Sequence, residues 1–231
     1  MKKLFLIAIT FCSAIGLAQI IHAQTQPMQV ATYRETPLPL YLSCGNEVVI
    51  NIENYPFWEK IRLEAQGAEL LPTPKRNVFT VIPNQATVVL RAFENETLIS
   101  ESKHQVRLLP KPDIEMFVGN RAYNAKMRIY SIEDLQKIVT IKAVPAYEVA
   151  QSIPKDCRYR VEAFEIYVER KGKIVKEQVV KDEQIDLSEF VKDLQSGDML
   201  MFEVKGIKRM NFQGRVEDVN IGEQIYSIVI E

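Results

Sequence analysis

Histidine and cysteine are the side chains that most often carry catalysis or hold metals near neutral pH, and this chain has two of the first and three of the second. His22 sits in an apolar opening stretch, so His104 is the one imidazole left for chemistry. It stands in an alternating segment, where a solvent-facing or satisfied ring is the ordinary case. A Ser-His-Asp set would need His104, and no Gly-x-Ser-x-Gly elbow presents a serine. The chain has no His-Glu-x-x-His, no cysteine pair at metal-ligand spacing and, with 9 glycines, no phosphate-cradling loop. Carboxylates are plentiful, but they belong equally to any solvated surface; only two acids placed for glycoside hydrolysis stay open. The pattern predicts a protein that is not an enzyme and uses neither cofactor nor metal.

Cys44 and Cys157 remain once Cys12 is set aside with the opening stretch. In an oxidising compartment two cysteines invite a disulfide. Alternation instead puts Cys44 on one face with Leu38, Leu40 and Leu42, and Cys157 on one face with Tyr159 and Val161. Two separately buried thiols, each on the apolar side of its own strand, are therefore expected, with a bridge as the rival.

Binding chemistry is better represented. Tyr55-Pro56-Phe57-Trp58 gathers three aromatics, including the single Trp, around a proline between two expected strands. Exposed, Tyr55, Phe57 and Trp58 would anchor a partner; folded back, Phe57 and Trp58 would plug one end of a sandwich. Further on, Lys205, Lys208, Arg209 and Arg215 place four positive charges within eleven residues, with Met210 and Phe212 among them. Met and Phe flanked by Arg in a turn-rich segment have the composition of an interface anchor. The alternative is a hairpin whose Phe212 packs back on its sheet.

The elements that would position these residues are bounded by Pro110-Lys111-Pro112, where two prolines fix φ and remove two donors, so no helix or central strand crosses. Two domains are expected, 37–109 and 110–231. In the first, strands read at Leu38–Ser43, Val48–Ile52, Ile61–Ala65, Phe79–Ile82, Thr87–Phe93 and Leu98–Val106. Gly45-Asn46 is expected to turn the first two into a hairpin. No helical stripe interrupts them, so this is an immunoglobulin-like antiparallel sandwich. In the second, a strand over 114–118 precedes one or two helical turns from Ser131 with Ile132, Leu135 and Ile138 or Val139 as their apolar stripe, strand over 138–144 being the alternative. The phase change from Tyr159, Val161, Ala163 to Phe164, Ile166, Val168 requires an inserted residue, hence a bulge at Ala163-Phe164. Lys171-Gly172 turns the chain, Asp186 caps a helix carrying Leu187, Phe190, Val191 and Leu194 on one face, and strands 199–204 and 225–230 close it. This half reads as β-rich with one short helix.

At the front, Lys2-Lys3 followed by an uncharged run from Leu4 to Ile21 has the order of an export signal, removed after Ala18 or Ala23. Thr10, Ser13, Gly16 and Gln19 favour cleavage over a retained inner-membrane anchor through 4–21. Ile9-Thr10-Phe11 lacks the small residues that precede a lipidated Cys12. Residues 24–36 read as a flexible leader. Without Lys2 and Lys3 the chain has 27 basic against 30 acidic residues, so nucleic acid is not a partner.

The run Tyr159-Arg160-Val161-Glu162-Ala163-Phe164-Glu165-Ile166, a capped helix, Gly197-Asp198-Met199-Leu200-Met201-Phe202-Glu203-Val204-Lys205-Gly206-Ile207-Lys208, then Gly214-Arg215 and a last strand resembles the terminal periplasmic domain of the GldM/PorM family of type IX secretion and gliding motility. Leu40-Tyr41-Leu42-Ser43-Cys44-Gly45-Asn46 and the proline join resemble the domain before it. The resemblance implies a non-enzymatic periplasmic component whose domains dimerise. Its distal end would meet an envelope complex of outer-membrane-side ring subunits, and it would place the 205–215 segment there. The family's long helical domain and first β-domain are missing here, so only the distal binding role carries over. A carbohydrate-binding or adhesion sandwich using the aromatics near Trp58, and a chaperone-like protein offering an edge strand, are the competing readings.

Overall fold

The structure is a computed structural model that describes residues 28–32, 39–53, 55, 58–133, 135 and 137–231. The expected signal, most of the leader, and Pro56 and Phe57 lie outside the described residues.

The first half contains β1 (Met28–Thr32), β2 (Leu40–Tyr41), β3 (Asn46–Ile52), a 3-10 turn at Trp58–Lys60, β4 (Ile61–Gln66), β5 (Ala68–Pro72), β6 (Val78–Pro83), β7 (Thr87–Glu94) and β8 (Thr97–Arg107). They form two four-stranded sheets, β1-β3-β6-β5 and β2-β8-β7-β4. Val48, Ile50 and Val81 from one sheet and Leu40, Val88 and Leu90 from the other share one core. Alternation along these strands sends one face inward, which is how a sandwich arises from so short a chain.

Two expectations fail here. Leu40 to Ile52 do not make a hairpin: β2 pairs in parallel with β8, and β3 pairs with β1 and β6, so the turn between them carries the chain from one sheet to the other. Ser43, not Gly45, holds the positive φ there. Part of the leader is also strand, since β1 pairs with β3 from Met28↔Ile52 to Thr32↔Val48 and seats Met28 and Val30 against the core.

Beyond the prolines come β9 (Asp113–Val118), β10 (Arg121–Ala122), β11 (Ile129–Tyr130), β12 (Ile138–Val144), α1 (Tyr147–Ser152), a 3-10 turn at Pro154–Asp156, β13 (Arg158–Arg170), β14 (Lys173–Val180), β15 (Gln184–Asp186), α2 (Ser188–Val191), β16 (Met199–Met210), β17 (Val216–Asp218) and β18 (Ile225–Ile230). One sheet runs β10-β9-β12-β15. The other runs β11-β18-β16-β13-β14, with β17 also on β16. Between them lies the larger core, with Phe164, Ile166, Leu200 and Phe202 facing Met116, Val118, Val139 and Ile141. The chain is mainly β with antiparallel sheets throughout, apart from the short parallel pairings of β2 with β8 and β11 with β18.

The β13–β16 ladder slips between Val161 and Phe164, at the inserted residue that the phase change requires. Lys171 and Gly172 both take positive φ, as the two-residue turn between β13 and β14 needs. The expected helix is shorter than its stripe: α2 has four residues, and Asp186 belongs to β15, where Oδ1 accepts from the Ser188 N–H at 2.8 Å and hydroxyl at 2.6 Å. Leu187, Phe190 and Leu194 are nevertheless buried. From Ser131 there is one turn among the described residues, closed by Leu135 N to Ser131 O at 3.0 Å.

Candidate interaction surface

The basic segment begins as strand, not as turn. Lys205 to Met210 continue β16, and only the tip from Asn211 to Arg215 reverses the chain. Asn211 builds that tip: it is buried, its side-chain oxygen accepts from the N–H groups of Gln213 and Arg215 at 3.0 Å each, and its side-chain nitrogen donates to Glu217 at 2.8 Å.

Strand pairing neutralises most of the charge. Lys205 Nζ reaches Glu203 at 2.6 Å and Glu165 at 3.0 Å, Lys208 reaches Asp218 at 2.7 Å and Glu162 at 3.4 Å, and Arg209 reaches Glu217 at 2.5 Å. The carboxylates around Lys205 and Lys208 raise both ammonium pKa values. Arg215 is exposed, and Met210 is half-buried opposite Arg158 and Val216. Three of the four cations that stand together in sequence, Lys205, Lys208 and Arg209, are thus interleaved with acids from β13, β16 and β17.

Arg209 and Phe212 instead serve the junction between the two halves. A Cβ placed on Gly45 would stand 2.5 to 2.9 Å from three atoms of the Phe212 ring, so only glycine admits this contact. Asp156, fully buried, accepts from the N–H of Gly45 at 2.9 Å through one oxygen and from that of Phe212 at 3.2 Å through the other. Burial pushes its carboxyl pKa up despite these two donors. Tyr41, Cys44, Val149, Ile153 and Cys157 form an apolar cluster around the same point. Asn46, also fully buried, holds the entering loop by accepting from Tyr41 N–H at 2.8 Å and donating to the carbonyls of Cys44 at 2.8 Å and Val81 at 3.1 Å. Lys155 pairs with Glu47 at 2.5 Å on the rim.

The two thiols are free and buried, but they do not sit on separate strand faces: Cys44 lies in the turn after β2, Cys157 follows the second 3-10 turn, and both enter one cluster. Burial, with Asp156 beside them, pushes their pKa values up to about 11 for Cys44 and about 12 for Cys157. Asp156 escapes sequence reasoning, and Gly45 is read there only as a turn residue. Their roles depend on contacts across 111 positions. Pro154, opening the turn that ends at Asp156, was the one local signal.

A second surface is the outer face of the β13–β16 sheet. Its inward residues Phe164, Ile166, Leu200, Phe202 and Ile228 are fully buried, so the alternate positions face away from the core. Met201 lies opposite Tyr167 and Ser227, Met199 opposite Val229, Ile225 opposite Glu203 and Val179 opposite Glu165. Ile225 and Val179 are 51% and 54% exposed, which makes this face more apolar than a solvated sheet needs. Tyr167 donates to Glu165 and, at 3.1 Å, to Glu203, and with Lys205 these form a polar strip across it. Glu165 beside the Tyr167 hydroxyl pushes the phenol pKa up to about 12.

Of the aromatic segment, Tyr55 is half-buried, and its hydroxyl pKa rises to about 12, chiefly through a hydrogen bond with Glu94. Trp58 begins the first 3-10 turn. His104 lies 2.9 Å from the Ser102 hydroxyl, and burial lowers its pKa. Among the described residues no group of three or more His, Cys, Asp or Glu is placed to hold a metal ion, and no helix is long and apolar enough to cross a membrane.

No curated protein matches this chain. Among solved structures, the Yersinia pseudotuberculosis adhesin InvE covers 88% of this chain at 8% identity and a TM-score of 0.26, and this chain spans 58% of that one. Overlap of that quality supports no conclusion about fold or role. Residues 110–231, which hold β9 to β18 and the whole of the larger core, match the GldM C-terminal domain, and the chain belongs to that family.

Proposed function

We propose that this protein is a non-enzymatic, exported binding or scaffold component that works in the periplasm as part of a secretion or gliding-motility envelope assembly. The observation that carries the reading is the match of residues 110–231 to the GldM C-terminal domain. Two domains, 37–109 and 110–231, fit the separate cores of the two halves. Two features support binding over catalysis. His104, the one histidine among the described residues, meets a Ser102 hydroxyl that also donates to Met28 Sδ at 3.2 Å, and the outer face around Met199 and Met201 offers apolar area with a polar strip for register.

Of the residues that composition suggests for contact, Lys205 borders that face, while Arg209 and Phe212 are engaged in the junction. The partner is an envelope protein, with outer-membrane-side ring subunits the class the family suggests and a second copy of the chain the alternative occupant. The test is affinity capture from crosslinked envelopes with wild type, Met201→Glu and Phe212→Ala, each first checked for an unchanged melting temperature. Capture of ring-type envelope subunits, lost in Met201→Glu and kept in Phe212→Ala, supports the proposal. Retention on polysaccharide with no envelope partner would instead favour an adhesion-type sandwich.

A further inference from the structure

We propose that Cys44 and Cys157 are a redox pair that closes a disulfide across the junction of the two halves when the chain meets an oxidising compartment. The chain's third cysteine, Cys12, lies in the apolar opening stretch, so each of these thiols has the other as its natural intramolecular partner. They are 113 positions apart in sequence yet belong to one cluster of five buried residues. Each lies next to one end of the same backbone-to-side-chain bond: Gly45, which follows Cys44, donates to Asp156, which precedes Cys157, at 2.9 Å. Glu47, three residues after Cys44, and Lys155, two residues before Cys157, tie the same two segments a second time.

In the reaction, one thiol loses its proton and attacks the disulfide of an oxidised thiol compound or dithiol oxidoreductase, expelling one sulfur as a thiol. The second thiolate then displaces the other sulfur. Two protons and two electrons leave the cysteines, and the oxidant departs as two thiols. In the closed junction burial holds both thiols protonated, so oxidation proceeds before the halves dock or during their transient opening. Once formed, the bridge is shielded in the same way from reductants. It would link the halves covalently at a second place, independent of Pro110-Lys111-Pro112.

The disulfide's formation in cells rests on the proposed export, and two arms of the experiment separate the ideas. Purified protein carrying Cys12→Ser, the background for every variant here, is equilibrated with oxidised glutathione in dilute urea, denatured, treated with maleimide and weighed intact. The expected product has lost two hydrogens, about 2 Da, and takes up no maleimide. After protease cleavage in the 107–114 link its halves stay together on a denaturing gel until reductant is added. Cys44→Ser and Cys157→Ser each take up one maleimide or one glutathione, and their cut halves separate. A Cys12→Ser parent that ends with two maleimides or two glutathiones, or whose cut halves part without reductant, overturns the proposal. Cells quenched in acid and alkylated test the compartment. Two free thiols there, beside a bridge that forms with glutathione, count against export and leave the geometry standing.

Discussion

Asp198 shows how a single side chain sets a local structure. It is 1% exposed, receives Arg170 through two bonds of 2.8 Å and also accepts from the Gln195 N–H at 2.8 Å. These contacts tie the end of β13 to the Gly197 turn that launches β16. Arg170 holds the Asp198 carboxyl below its ordinary 3.8. The unfolded chain therefore takes up a proton first as pH falls, so this contribution is complete above 3.8 and disappears below it. Asp198→Asn should cost roughly 1.5 to 3 kcal/mol at neutral pH, and urea melts from pH 6 down to 2 should converge with wild type at the acid end. His104 runs the other way in charge but not in sign. Burial lowers its pKa below 6.5, so protonation of the unfolded chain removes stability as pH falls through that value. His104→Ala should flatten that limb and still complement a deletion; failure by a stably folded variant would reopen catalysis.

At the level of elements, the junction depends on a turn meeting a turn. Gly45→Ala places a methyl group inside contact distance of the Phe212 ring, which must move or push the β16 tip away. We expect a cost of about 1 to 3 kcal/mol, and expect Phe212→Ala to relieve most of it in the double variant, a coupling that chemical denaturation of all four proteins measures. If the two costs simply add, Gly45 and Phe212 do not touch in solution. The bulge offers a parallel test. Deleting Ala163 leaves Val161 and Phe164 two apart while β16 keeps its three-residue step from Val204 to Ile207, so one side of the ladder must slip by a residue and turn its buried side chains outward. The deletion should unfold the second half, seen as loss of near-ultraviolet ellipticity.

For the whole molecule, the question is how far two cores act as one. Each half closes its own core, and the prolines between them interrupt ladder bonding, so fragments 24–109 and 110–231 should each fold. The junction cluster adds a coupling. Separated, the fragments would expose Tyr41, Cys44, Val149 and Ile153, and each should melt below its value in the intact chain. Circular dichroism of the two fragments and their equimolar mixture checks this, and the idea of separate units is lost if neither fragment folds.

Much of this architecture was legible in the chain because local physics decided it. Period-two alternation marked most of the longer strands, proline chemistry marked the break, and the phase change at Ala163-Phe164 required an extra residue wherever the strand came to lie. The short helix was overread for the same reason: a stripe of Leu187, Phe190, Val191 and Leu194 reports which residues are buried, not how many turns are hydrogen-bonded. Pairing was not legible, since β2 and β3 alternate like a hairpin while belonging to different sheets. Charge was not legible either. Lys205, Lys208 and Arg209 look like a basic anchor until strand register sets Glu165, Asp218 and Glu217 beside them. Cys44, Gly45, Asp156 and Phe212 acquire their meaning only at the junction. Contacts between residues so far apart in sequence leave no periodic trace, and they exist only once both sandwiches have closed.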